Sequence, residues 1–161
     1  MGNGDHRAPA GVFWLESGFG TKAVAVANFP YRRTTEADRW VDDAASAHYN
    51  QWVSLDDPAI RRDWKSAEVL RRQDGIYDLA IVVGHNRGPV RKGRGSAIFV
   101  HAWYGPGRST IGCTAMEKGQ VRSLLEWLDA AKAPVLVQAP RELLPSLGLP
   151  ESILSALANL R

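Results

Sequence analysis

The apolar residues of this chain come in short runs, each closed by glycine or proline. Residues 76–83, with Leu79-Ala80-Ile81-Val82-Val83 at their centre, stop at Gly84. Residues 96–103 lie between Gly95 and Gly105, and Val135-Leu136-Val137 follows Pro134. Runs of this length between turn formers read as β-strands. Val12-Phe13-Trp14-Leu15 predicts a further short strand, and the small alternating residues of 22–29 another. Only 117–131 carries a sustained helical stripe, formed by Val121, Leu124, Leu125 and Leu128, with Glu117 placed to suit the positive end of the helix. Ile60, Trp64, Ala67 and Leu70 stand at helical spacing and predict a second helix over 59–73, ending near Asp74-Gly75. Residues 31–57 are aromatic and acidic with weak periodicity, which reads as a long irregular excursion with room for a short helix. Residues 87–95 and 106–112 read as loops. The tail, 141–161, breaks around Gly148 and Pro150 before a short amphipathic helix. The fold class expected is α+β and β-rich, organised as one domain over 1–161.

Composition narrows the function classes. The chain has 161 residues, 45% apolar and 23% charged, which is enough for one domain with a real core. The formal charge of +3 permits a polyanionic neighbour without demanding one, and no nucleic-acid partner is predicted. No apolar run approaches the roughly 18 residues of a membrane span. The polar, glycine-containing start lacks the basic and apolar regions of an export signal, so a cytoplasmic location stays open on the residues alone. A single cysteine, Cys113, rules out an internal disulfide. No histidine or cysteine spacing matches a metal site.

Cys113 has a setting that its type alone does not provide. His101 stands at the end of an apolar strand. Cys113 comes twelve residues later, after a Gly/Pro loop and before the strongest helix. A thiol needs a base or a positive neighbour to become a thiolate near neutral pH, and a strand-end histidine with the loop folding back can supply it. Gly112 lets backbone approach a substrate closely, and the Gly112 and Cys113 amides are candidate oxyanion donors. By residue pattern, a satisfied core histidine and a filler cysteine account for the pair as well as a catalytic dyad does.

The segment from Gly95 to His101, followed by Thr110-Ile111-Gly112-Cys113, resembles the active-site signature of YkuD-type L,D-transpeptidases. In that family a strand-borne histidine precedes an S/T-x-G-C segment. The segment from Gly4 to Phe13 is similar to the family's GDGxxPxG turn, and Trp40-Val41-Asp42-Asp43, Tyr49-Asn50 and Tyr77-Asp78-Leu79 are similar to segments of one branch. The resemblance covers the chain to about Pro140 and begins at the Gly-Asp turn, so front strands typical of the family are expected to be missing. It departs from the best-known S-H-G-C pattern at Ile111, where that pattern has histidine, and at Ala115, where it has arginine.

The resemblance implies a mixed β-sandwich or barrel with one main helix after the nucleophile. It implies a cysteine-dependent L,D-transpeptidase of the cell envelope, with Cys113 as nucleophile, His101 as base and Gly112 at the oxyanion. Its partners would be peptidoglycan stem peptides and carbapenem-type inhibitors. The reaction would be 3-3 crosslinking or L,D-carboxypeptidase cleavage, with no cofactor. Thr110, Ile111, Ser109 and Trp103 are expected to contact substrate, Trp103 because it lies two residues beyond His101 on the same strand face. Two rival readings stand: a catalytically silent wall- or partner-binding member, and a generic thiol peptidase or amidase. His6 and His48 read as surface or turn residues, and His85 as a loop residue. The basic loop Arg87, Arg91, Lys92 and Arg94 is either a substrate contact or a solvated surface.

Overall fold

Strand β1 (Gly11–Gly20) is ten residues long and organises the main sheet. The computed structural model describes residues 5–158. Residues 1–4, which include the glycine of the Gly-Asp turn, and residues 159–161 of the tail lie outside the described residues. The first half of β1 pairs antiparallel with β9 (Val135–Gln138), Gly11 facing Gln138 and Trp14 facing Val135. Its second half pairs parallel with β2 (Tyr31–Arg33) and antiparallel with β6 (Ala80–Val83). A register shift between Leu15 and Gly18 lets one strand serve both sets of partners. Beyond β6 lie β7 (Phe99–Ala102), antiparallel to it, and β8 (Thr114–Met116), parallel to β7. A second, antiparallel sheet has the order β4 (Trp52–Ser54), β3 (Asp38–Val41), β5 (Ala67–Val69). The fold is thus β-rich α+β with mixed sheets, as expected, but the sheets do not close into a barrel.

Period-two alternation sorts the side chains of β6 and β7 to opposite faces. Ile81, Val83 and Val100 join Leu15, Val121, Leu125 and Leu128 in a cluster under helix α1 (Lys118–Trp127). Ala80, Val82 and Phe99 join Phe19, Trp40, Leu70 and Tyr77 in a cluster toward the small sheet. Both faces of the central strands are therefore covered, which explains why β6 is continuously apolar rather than alternating. Helix α1 is fixed by a capping box: the Glu117 carboxylate and the Gln120 amide each close on the other's backbone N–H.

Three local expectations are corrected. Residues 59–73 form no helix; they run as irregular chain into β5. Trp64 packs with Val41 and Val53, whereas Leu70 is buried in a different cluster, so the apolar residues serve two cores rather than one stripe. Lys65 N–H, which a helix over 59–73 would pair internally, instead donates to Asp43 at 2.8 Å, and Asp63 of the same stretch accepts from Ala47 N at 2.8 Å. Residues 22–29 form no strand. Lys22 N–H bonds to Asp78 O at 3.2 Å, and the only ladder-like contact within the stretch is the Asn28–Asp129 bridge. Residues 31–57 hold β2, β3 and β4 and no helix. The tail does end in a short helix, α2 (Glu151–Ala158).

Candidate active site

His101 lies on β7 with its side chain on the Phe99 face, toward the small sheet, and is 6% exposed. Its Nδ1 lies 2.7 Å from Ala102 O. A carbonyl can only accept, so Nδ1 carries the hydrogen and Nε2 holds the free lone pair. Tyr77 packs edge-on against the ring, with centroids 5.4 Å apart. Burial holds the imidazole pKa below its ordinary value, which keeps the ring neutral at pH 7.

Cys113 immediately precedes β8 and packs against the same cluster as Phe99. Its thiol donates to Ala97 O at 3.3 Å and accepts from Phe99 N at 3.4 Å. It does not hydrogen-bond to His101, so the direct thiol–imidazole contact of an assembled dyad is not made in this conformation. Burial pushes the thiol up to about 12, the Phe99 N–H opposes the rise, and the Glu68 charge adds to it. The thiol is therefore protonated at rest.

The loop before Cys113 is braced from within. Thr110 Oγ1 donates to Cys113 O at 2.6 Å and accepts from Gly112 N at 3.3 Å. Gly112 has φ of +126°, a conformation that favours glycine. Its amide is therefore engaged by Thr110 in this conformation.

His101 and Cys113 open onto one cleft of about 660 Å³. The expected contact residues Trp103, Ser109, Thr110 and Ile111 line it as well. Ile111 is 71% exposed and Trp103 37%, so the mouth of the cleft is apolar and accessible. His85 and the basic loop residues do not line it. His85 Nε2 lies 2.9 Å from Arg94 O, and Arg87 forms an ion pair with Glu16 at 3.1 Å while its guanidinium covers the Trp40 ring. His48 packs edge-on against Trp64.

Sequence reasoning missed the polar wall of the cleft: Asp42, Glu68, Arg72, Tyr104 and Arg108. Arg72 Nε donates to both oxygens of Asp74 at 3.1 and 3.0 Å, its Nη2 donates to Oδ2 at 2.5 Å, and Tyr104 donates to the same carboxylate at 2.7 Å. Arg72 holds the Asp74 carboxyl well below the usual carboxylate range. Burial raises Glu68. These residues come from separate segments, and only the β3–β5 pairing carries Glu68 to the cleft. The one available signal was Tyr104, close behind His101 in sequence. Among the described residues no group of three or more His, Cys, Asp or Glu side chains could hold a metal ion. No helix among them is long and apolar enough to cross a membrane.

A strand-borne histidine and a Gly-Cys turn thus share one cleft of a β-rich fold. The family model of the L,D-transpeptidase catalytic domain (YkuD) matches residues 1–137, and the chain belongs to that family. No curated protein and no solved structure matches the chain.

Proposed function

We propose that this chain is a peptidoglycan L,D-transpeptidase that works through a Cys113 thioester at the bacterial cell wall. The observation that supports the reading is that Cys113 and a neutral His101 line one cleft, the imidazole oriented by Ala102 O so that Nε2 is the available base. A turn of the Cys113 side chain away from Ala97 brings the thiol to Nε2, which takes its proton as the sulfur attacks the carbonyl of an L-centred stem residue. The Cys113 amide, together with that of Gly112 once released from Thr110, receives the developing oxyanion. Collapse breaks the peptide bond. The departing D-amino acid takes the proton from His101 and leaves a thioester. An amine of a second stem, or water, then attacks the thioester with His101 as base and frees the thiol. Ile111, Trp103 and Ser109 contact the donor stem at the cleft mouth.

A second reading, a silent member that binds wall or partner without turnover, draws on one observation: the resting thiol bonds to backbone and not to His101. Intact-protein mass spectrometry after incubation with a carbapenem separates the two. A covalent adduct on Cys113, absent in Cys113→Ser, is the expected result. No adduct at high inhibitor concentration, with the thiol free to alkylate, overturns the enzyme reading.

A further inference from the structure

Asn50 is 1% exposed and uses every hydrogen-bonding capacity of its side chain. Oδ1 accepts from Trp40 Nε1 at 2.9 Å and from Ala97 N at 3.1 Å. Nδ2 donates to Asn86 O at 2.7 Å and His85 O at 3.3 Å. Its own backbone donates to Val41 O at 2.8 Å and accepts from Arg87 Nη1 at 2.6 Å. One amide thus joins β3 of the small sheet to both ends of the loop that leads into β7.

At the far end of that loop Ala97 has φ of +54°, a left-handed conformation that is unfavourable for a non-glycine residue and persists only where neighbours impose it. The Ala97 N–H donates to Asn50 Oδ1 from this conformation. The carbonyl of the same residue, Ala97 O, is the acceptor of the Cys113 thiol at 3.3 Å.

We propose that Asn50 is a positioning residue for the nucleophile: by fixing Ala97 it aims the carbonyl that holds Cys113 in its resting, protonated orientation, and it makes that orientation depend on the small sheet. This rests on the reading of Cys113 as the nucleophile. A hydrogen bond from S–H to a carbonyl favours the neutral thiol, so loss of the acceptor lowers the thiol pKa. The other titratable groups that bear on the thiol are Glu68 from β5, Tyr77 from the turn before β6, and His101 from β7, with Arg72 across the cleft. None of them bonds to Asn50 or Ala97, so their influence is common to the variants below.

The test is the pH dependence of iodoacetamide alkylation at Cys113 in the full chain. Asn50 has φ of +59°, so Asn50→Gly removes the side chain without straining the backbone. The expected result is a lower alkylation midpoint and a rise in rate at pH 7 of about fivefold, the size of one weak hydrogen bond. A folded Asn50→Gly protein with a lower melting temperature and an unmoved midpoint overturns the inference, because a purely structural amide changes stability alone. Should that variant not fold, Ala97→Gly decides: glycine fits the same left-handed φ and keeps the N–H that bonds to Asn50, so the carbonyl stays aimed and the midpoint is expected to stay at its wild-type value. A lowered midpoint there would show that something other than the Asn50 bond holds the carbonyl and would overturn the inference. The carbapenem experiment reports separately. A wild-type thiol whose midpoint depends on Asn50 but which is never acylated removes the transpeptidase reading and leaves the positioning of the thiol intact.

Discussion

The two residues of the proposed dyad both rest uncharged, His101 ready to accept a proton and Cys113 still holding one. His101 is neutral because burial opposes its protonation. Its folded pKa lies below the unfolded value of about 6.5, so the unfolded chain binds the proton more tightly and His101 withdraws stability as pH falls through that range. In the proposed mechanism the same depression sets the acid limb of the rate. The acid limb of the rate of thioester formation should fall below pH 6.5, and a limb at or above that value in a pH–rate profile would show that His101 is not the base. Ile111 offers a second test. An imidazole there would add a partial positive charge near a thiol that now has none in its place. Ile111→His should therefore raise the rate of alkylation at neutral pH, by no more than about fivefold, since a charge in water-like surroundings at about 4 Å is worth ~1 kcal/mol and histidine is only partly protonated at pH 7. An unchanged or upward-shifted thiol midpoint would mark Ile111 as apolar wall only, consistent with its exposure at the cleft mouth.

Elements were legible where one local pattern decided them. The runs read as strands over 76–83, 96–103 and 134–138 hold β6, β7 and β9, the first two strands being only four residues long, β6 because 76–79 form a turn, and the stripe from Val121 to Leu128 is the buried side of α1. The order histidine, loop, Gly-Cys was legible too. What stayed hidden was decided by distant partners. Trp64 and Leu70 keep helical spacing but are drawn into different cores, and Asp43 and Asp63 bond to backbone about twenty residues away. Glu68 reaches the cleft only because β5 pairs with β3. Close approach is another such constraint. A Cβ on Gly20 would lie 2.1 Å from Asp78 O, so Gly20→Ala must push β1 away from the turn before β6. A loss of about 1–3 kcal/mol in denaturant unfolding is expected, and a wild-type midpoint would contradict the strand placement.

At the scale of the whole molecule, the central sheet separates two environments. One face packs on α1, and the other carries Phe99, His101 and Cys113 toward the small sheet. Leu125 is fully buried on the helix side. Leu125→Ala should therefore lower stability by about 2–5 kcal/mol and leave the alkylation midpoint of Cys113 where it was. A midpoint that moves with Leu125 would mean that the sheet transmits packing strain across its thickness. With the midpoint fixed, the two sides answer to different selective pressures. Substitutions beneath the helix are filtered by folding alone, so that side can drift wherever volume is preserved. Under the proposed function, substitutions beneath the small sheet are filtered by turnover as well. New substrate preferences would then arise by reworking the small sheet and its loops, while the helix side supplies the reserve of stability that lets such changes be tolerated.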